Sequence, residues 1–215
     1  MDERQVNLVA ITVFILTITA LIAPLLHLSV GVIAGTAFLL LSLATADAWV
    51  WQSQGLTLLL SLWPGSQARV IHHEAGHFLV AHLMGIPIED YTLSAWQSWR
   101  RGYPPGEAGV RLGAIAPELL PRCPVLWLAG IAAEEWVYGQ AQGGTTDRQQ
   151  ALRLLAAFPP AERAWRLRAA HREARQLLHQ HRPAYQALVA AMTQKKSVTD
   201  CVQVLENTLK GTSIN

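Results

Sequence analysis

The feature that most constrains this chain is a long stretch without charged side chains near its amino terminus. Residues 6–46 contain no Asp, Glu, Lys or Arg. Two apolar runs, residues 6–26 and 30–46, are separated by a three-residue connection. As helices they would be about 31 Å and about 26 Å long, close to the ~30 Å hydrocarbon core of a bilayer. The pattern therefore predicts two membrane-spanning helices that form a hairpin.

The flanking residues predict the orientation of this hairpin. Arg4 precedes the first run, whereas the connection contains no Lys or Arg. The positive-inside rule therefore places both termini, and everything after the hairpin, in the cytoplasm. A cleaved signal peptide is disfavoured because the first run is too long and because Asp2 and Glu3 lie beside Arg4. A hairpin buried in a protein core is the remaining alternative to a two-pass integral membrane protein in contact with lipid.

Composition excludes several other classes of protein. Apolar residues make up 51% of the chain and charged residues 15%, below the roughly 25% of a typical soluble domain. The net charge of +2 is too small to indicate a nucleic-acid partner. The two cysteines, Cys123 and Cys201, form no C-x-x-C pair, which argues against a disulfide scaffold and against a cysteine zinc site.

The strongest chemical signal is the sequence HEAGH, in which His73, Glu74 and His77 form an H-E-x-x-H motif. Ser66 is a candidate N-cap for a helix over residues 67–84, and Gly85 stands where helices commonly end. Histidines four residues apart leave one face of a helix and can bind one zinc ion. The adjacent glutamate can act as the general base toward water. The alternative is an ordinary helix with partly buried histidines, which is what we expect for His72 and His82.

A catalytic zinc site needs a third protein ligand. Leu83 occupies the position where a metzincin has its third histidine, so the ligand must come from later in the chain. Residues 129–138 predict a helix that contains Glu134 and Glu135, one of which could hold a ligand imidazole by its second nitrogen. Gly143-Gly144 then predict a turn, after which Thr145 or Thr146 caps a helix extending to about residue 158. Asp147 in its first turn is the candidate third ligand.

The sequences HEAGH, AAEEWVYG and GGTTD together resemble the peptidase domain of the FtsH family of membrane zinc proteases, over roughly residues 69–205. The resemblance implies that Asp147 is the third zinc ligand and that Glu134, rather than Glu135, supports a ligand histidine. It also implies a protein or peptide substrate.

The chain departs from this family in three places. It has no G-x-x-x-x-G-K-[ST] motif, and the residues between hairpin and peptidase region leave no room for an ATPase, so we expect no ATP site. Thr146 stands where the family usually has Asn. Residues 86–94 and 109–115 predict two strands, which either hold an extended substrate or form a surface hairpin.

The predicted fold is therefore mainly α with a small β element. We expect a transmembrane hairpin in residues 1–50, a linker with a short interfacial helix in residues 51–68, and an FtsH-like zinc peptidase domain in residues 69–215. The arginine-rich helix over residues 161–181 is expected to be a solvated face or, alternatively, a contact for anionic lipid.

The expected function is a membrane-anchored zinc endopeptidase without an ATPase, acting alone, as a homo-oligomer or with a separate AAA+ partner. Two alternatives remain. One is an intramembrane protease of the site-2 type, which also carries an H-E-x-G-H helix. The other is a non-proteolytic scaffold or regulatory subunit of a membrane complex.

Overall fold

The computed structural model describes residues 13–19, 22, 29, 31, 34–35, 37–39, 41–42, 45, 66–103 and 109–212. The chain divides into two compact units, Met1–Thr57 and Leu58–Asn215. In the first unit the described residues are helical except Ser29. Thr17, Thr19 and Thr45 each donate a hydrogen bond to the carbonyl four residues earlier, so their hydroxyl groups are satisfied within the helix.

Among the described residues no helix combines the length and the apolar character needed to cross a membrane. The two predicted spans fall in large part on residues outside the described set. Of the linker predicted to contain a short interfacial helix, residues 51–65 lie outside it. The membrane hairpin therefore stays a prediction from the sequence.

The described residues of the second unit are mainly helical and include a small sheet, which confirms the predicted balance of elements. Its α-helices are α1 (Ser66–Leu83), α2 (Ala95–Arg100), α3 (Cys123–Tyr138), α4 (Thr145–Leu154), α5 (Pro160–Gln180), α6 (Arg182–Thr193) and α7 (Val198–Thr212). A 3₁₀ helix, Pro117–Arg122, precedes α3. The strands are β1 (Ile88–Tyr91) and β2 (Val110–Leu112), which pair antiparallel with an irregularity between Ile88 and Asp90.

Helix α1 lies at the centre of this unit. Residues 73–81 are buried without interruption, so the helix packs on all sides. It packs most extensively against α3, and the two backbones approach closely at Gly76, where a Cβ atom would lie 2.6 Å from the carbonyl oxygen of Ala129. Glycine at position 76 therefore allows α1 and α3 to pack in close contact.

Helix α5 packs mainly against α3, α6 packs against α1, and α7 packs against α6. In α5, Leu167, Ala170, Ala174 and Leu178 are buried at helical spacing. The arginines at positions 168, 172 and 175 of the same helix are exposed. The arginine-rich helix thus has a buried apolar face and a solvated basic face.

Several predicted boundaries were wrong. Helix α3 begins at Cys123 rather than residue 129, because Pro124 in its first turn needs no hydrogen-bonded N–H. Helix α4 is preceded by Gly144 in a left-handed conformation, and neither threonine caps it. Helix α4 ends at Leu154 rather than at about residue 158. Arg163 donates to the carbonyls of Ala156 and Phe158 and so stabilises the turn that follows the helix. Helix α1 starts at Ser66 itself.

Candidate metal centre

Three side chains that the sequence suggested as metal ligands meet at one point. The Nε2 atoms of His73 and His77 lie 3.1 Å apart, and Asp147 Oδ2 lies 3.0 Å and 3.6 Å from them. Zinc bonds of about 2.0–2.1 Å in a tetrahedron place ligand atoms about 3.3 Å apart. The spacing and the chemical types of these three donors therefore fit one zinc ion.

Two different helices bring these donors together. His73 and His77 leave the same face of α1, one turn apart, and both are buried. Asp147 belongs to the first turn of α4, which the loop of residues 139–144 connects to α3. All three candidate ligands thus belong to helices, and the two histidines belong to a buried one.

The second ring nitrogen of each histidine has its own partner. His77 Nδ1 lies 2.8 Å from the carbonyl oxygen of Leu126, and His73 Nδ1 lies 2.7 Å from Glu134 Oε1. A carbonyl oxygen only accepts hydrogen bonds, so His77 Nδ1 donates, and the Glu134 carboxylate favours the same arrangement for His73. The Nε2 atoms of both rings then face Asp147 Oδ2. Such a cluster requires a cation, either a proton or a metal ion, between its members.

Electrostatics at the centre favour positive charge. Burial lowers the pKa of His73, but hydrogen bonds to Asp147 and Glu134 and the charge of Glu74 raise it overall to about 10. Burial raises the pKa of Asp147, but hydrogen bonds to His73 and His77 outweigh this and leave it well below its usual range. A cation between these side chains, either a proton or a metal ion, is therefore stabilised by the Asp147 and Glu134 carboxylates.

Glu134 supports His73 from the far side of the ring. Its pKa, which burial alone would raise, is lowered to about 2 by hydrogen bonds from His73, the Gln142 backbone N–H and Arg69. The neighbouring Glu135 points elsewhere and lies 3.1 Å from His171 Nε2. Of the two glutamates that the sequence left as candidates, Glu134 is the one that contacts a ligand histidine.

Glu74 is buried beside the histidines and contacts the sheet. The backbone N–H of Val110 donates to Glu74 Oε2 over 2.9 Å, and Gly109 lies so close that a Cβ atom there would be 3.0 Å from the same oxygen. Burial raises the pKa of Glu74, although the charges of His73 and His77 oppose that effect. A carboxylate with a raised pKa next to a cation site is suited to accept a proton.

Helix α3 leaves space for an ion at Gly130. A Cβ atom at this position would lie 2.5 Å from the Nε2 atoms of both His73 and His77. Any side chain other than hydrogen would thus enter the volume in which the ligand atoms meet.

The sequence suggested the three candidate ligands that the structure brings together, and Glu74 beside them, but not the groups around them. Gly130, the Leu126 carbonyl and the Val110 N–H contribute backbone atoms or empty space, which leave no pattern in side-chain identity. His72, expected to be an ordinary helix residue, lies outside the cluster with its Nδ1 2.8 Å from the hydroxyl of Tyr185. His82 likewise is not among the residues grouped at the metal centre.

Comparison of the sequence with protein-family models and with curated proteins finds no match.

Proposed function

We propose that this chain is a membrane-anchored, ATPase-less zinc metalloendopeptidase. The observation that carries the proposal is the meeting of His73 Nε2, His77 Nε2 and Asp147 Oδ2 within 4.8 Å, with Glu74 next to them. Catalytic zinc sites have three protein ligands and leave a fourth position open for substrate or water, whereas structural zinc sites have four protein ligands. The three candidate ligands, with the Glu74 carboxylate nearby, match the catalytic pattern.

The chain's residues have separable tasks in peptide hydrolysis. A zinc ion held by the three ligands would supply the positive charge that acidifies water and polarises the peptide carbonyl. Glu74 accepts a proton from the attacking water as its oxygen bonds to the carbonyl carbon. Glu74 then delivers that proton to the amide nitrogen as the C–N bond breaks. The Val110 N–H holds Glu74 Oε2, which leaves Oε1 for this proton transfer.

Strand β2 supports binding of an extended peptide. The bonds from Thr92 N to Gly109 O and from Gly113 N to Pro87 O direct those backbone groups toward β1. Because successive residues of a strand alternate, the backbone groups of Val110 and Leu112 point to the opposite edge. That is the edge at which Val110 meets Glu74. A substrate that added a strand there would pass beside the proposed metal centre.

The amino-terminal part of the chain supports a membrane location for this activity. Its uncharged run of residues 6–46 has the length and composition of two spans. Without an ATPase to unfold substrates, the peptidase would act on flexible or already unfolded segments of membrane proteins, or receive them from a separate AAA+ partner.

A direct test uses the full chain purified in detergent. We expect one zinc ion per chain by elemental analysis and cleavage of casein that Glu74→Gln abolishes while zinc stays bound. Absence of zinc from the purified protein, or cleavage that persists unchanged in Glu74→Gln, would contradict the proposal.

A further inference from the structure

Arg69 lies one helical turn before His73 on α1 and makes three contacts on one side of the candidate metal centre. Its Nη1 donates to Glu134 Oε2 over 3.1 Å and to the backbone oxygen of Gln140 over 2.8 Å. Its guanidinium also stacks over the ring of Tyr138, 4.2 Å from the ring centroid. The side chain is 19% exposed and that of Glu134 only 3%, so their ion pair is largely shielded from water.

The Glu134 carboxylate is the link between Arg69 and the centre. Its Oε1 accepts from His73 Nδ1 over 2.7 Å, and its Oε2 accepts from Arg69 and from the backbone N–H of Gln142. A carboxylate bound through both oxygens cannot rotate without losing hydrogen bonds. The orientation of the His73 ring thus depends on what holds the far oxygen of Glu134.

The same contacts hold the loop that leads to the third ligand. Residues 139–144 connect α3 to α4, and Asp147 is in the first turn of α4. Arg69 fixes this loop at the carbonyl of Gln140, while Glu134 fixes it at the N–H of Gln142. The Arg69 guanidinium therefore connects α1 to the end of α3 and to the loop of residues 139–144 that precedes α4.

We propose that Arg69 is a positioning residue for the metal centre, holding Glu134 against His73 and the loop of residues 139–144 in the conformation that brings Asp147 to the two histidines. The inference rests on the proposed metal site and adds to it a residue that touches neither metal nor substrate. An arginine of merely structural value would contribute to folding stability without changing the affinity for zinc.

The test measures the zinc affinity of the full chain in detergent by competition with a chromogenic chelator. Arg69→Met keeps most of the side-chain volume and removes the charge and all donors. We expect its zinc affinity to fall about 10-fold, the lower end of the 10–100-fold range for groups that orient metal ligands. Arg69→Lys restores a positive donor without the planar stacking surface, and we expect it to recover part of the loss.

Arg163 offers a matched control. It also donates to two backbone carbonyls of a loop, those of Ala156 and Phe158, but none of its described contacts involves a residue of the metal centre. Arg163→Met should lower the melting temperature and leave zinc affinity within about twofold of wild type, since its contacts follow the carboxyl end of α4 and Asp147 lies in the first turn of that helix. The ratio of the zinc affinities of the two methionine variants therefore separates positioning from general stabilisation.

The outcomes distinguish this inference from the proposed function. If wild type binds zinc and folded Arg69→Met binds it equally well, the positioning role is overturned and the metal centre stands. If wild type binds no zinc, the metal centre itself is wrong. Should Arg69→Met fail to fold by circular dichroism, Arg69→Gln takes its place, with the same loss expected and wild-type affinity again overturning the role.

Discussion

The imidazole Nδ1 of His77 lies 2.8 Å from the carbonyl oxygen of Leu126, so a backbone group of α3 fixes which nitrogen of the ring faces the metal centre. His77→Phe keeps the ring volume, removes the ligand nitrogen and leaves this carbonyl without its donor. We expect loss of zinc binding, together with a destabilisation of about 1–3 kcal/mol for the unpaired buried carbonyl. Elemental analysis and thermal melting measure the two effects.

His72, which precedes His73 on α1, provides the control for His77→Phe. His72→Phe also removes a partly buried hydrogen bond, to the hydroxyl of Tyr185, yet His72 lies outside the ligand cluster. The His72→Phe protein should therefore be less stable than wild type but bind as much zinc per chain. Equal zinc content in both phenylalanine variants would speak against His77 as a ligand.

Gly130→Ala tests whether the space beside the two Nε2 atoms is needed for an ion. In an ordinary helix interior this change stabilises by about 0.5–1 kcal/mol. Here the added Cβ atom would lie 2.5 Å from both nitrogens, so we expect at least about 100-fold weaker zinc binding. Gly211→Ala, whose Cβ atom would meet nothing within 4 Å, should bind zinc as wild type does. Wild-type zinc affinity in a folded Gly130→Ala protein would place the ion elsewhere.

Val110→Pro tests the contact between the sheet and Glu74. The substitution removes the N–H that donates to Glu74 Oε2, and that N–H points away from β1, so strand pairing loses no hydrogen bond. We expect zinc to stay bound and kcat for casein to fall by about 10-fold or more, because the general base is no longer held in place. Arg111→Pro is the comparison, since its N–H faces β1 and its loss should instead lower the melting temperature. An unchanged kcat in Val110→Pro would remove the sheet from the mechanism.

The metal-free protein should lose stability as the solution becomes alkaline. The pKa of His73 is raised from 6.5 to about 10. The contribution of His73 to the free energy of unfolding is therefore complete below pH 6.5 and disappears as pH rises through about 10. The raised pKa of Glu74 acts in the same direction. The lowered pKa of Glu134, about 2 against 4.5, gives the opposite behaviour, with stability lost only as pH falls below 4.5. Melting temperatures in EDTA should therefore be lower at pH 9 than at pH 6.5. This difference should be smaller in His73→Gln. If the difference in His73→Gln equals that of wild type, His73 is not its source.

Zinc affinity should rise over the same pH interval. In the metal-free protein His73 holds a proton that the ion must displace, and that proton becomes easier to remove as pH approaches about 10. Chelator competition between pH 6.5 and pH 9 measures the trend, and an affinity independent of pH would contradict it.

Local signals in the sequence were enough to predict the central helix and its chemistry. Ser66, Gly85 and Pro87 bound α1 to within one residue, and the four-residue spacing of His73 and His77 requires only helical geometry. The position of Asp147 early in a helix followed from the preceding glycines, although the capping residue was misassigned.

The features that escaped prediction depend on tertiary approach. Backbone atoms distant in sequence produce the close approach of α3 to the histidines at Gly130 and the contact of Val110 with Glu74. They also produce the left-handed conformation of Gly144, which precedes α4. Helix α2, Ala95–Arg100, is too short to show a period. No local sequence signal singles out Arg69, because its partners lie 65 and 71 residues away.

Helix α4 has one buried residue, Ala151, whereas α1 has ten, Ile71 and residues 73–81. The carboxylate of Asp147 therefore belongs to a helix with little apolar anchorage, while both imidazoles belong to a deeply buried one. An ion shared between them would act as a tether across the 70 residues from His77 to Asp147. Fraying of α4 and escape of the ion would then be the same event, so the rate of zinc exchange would report how often this helix opens.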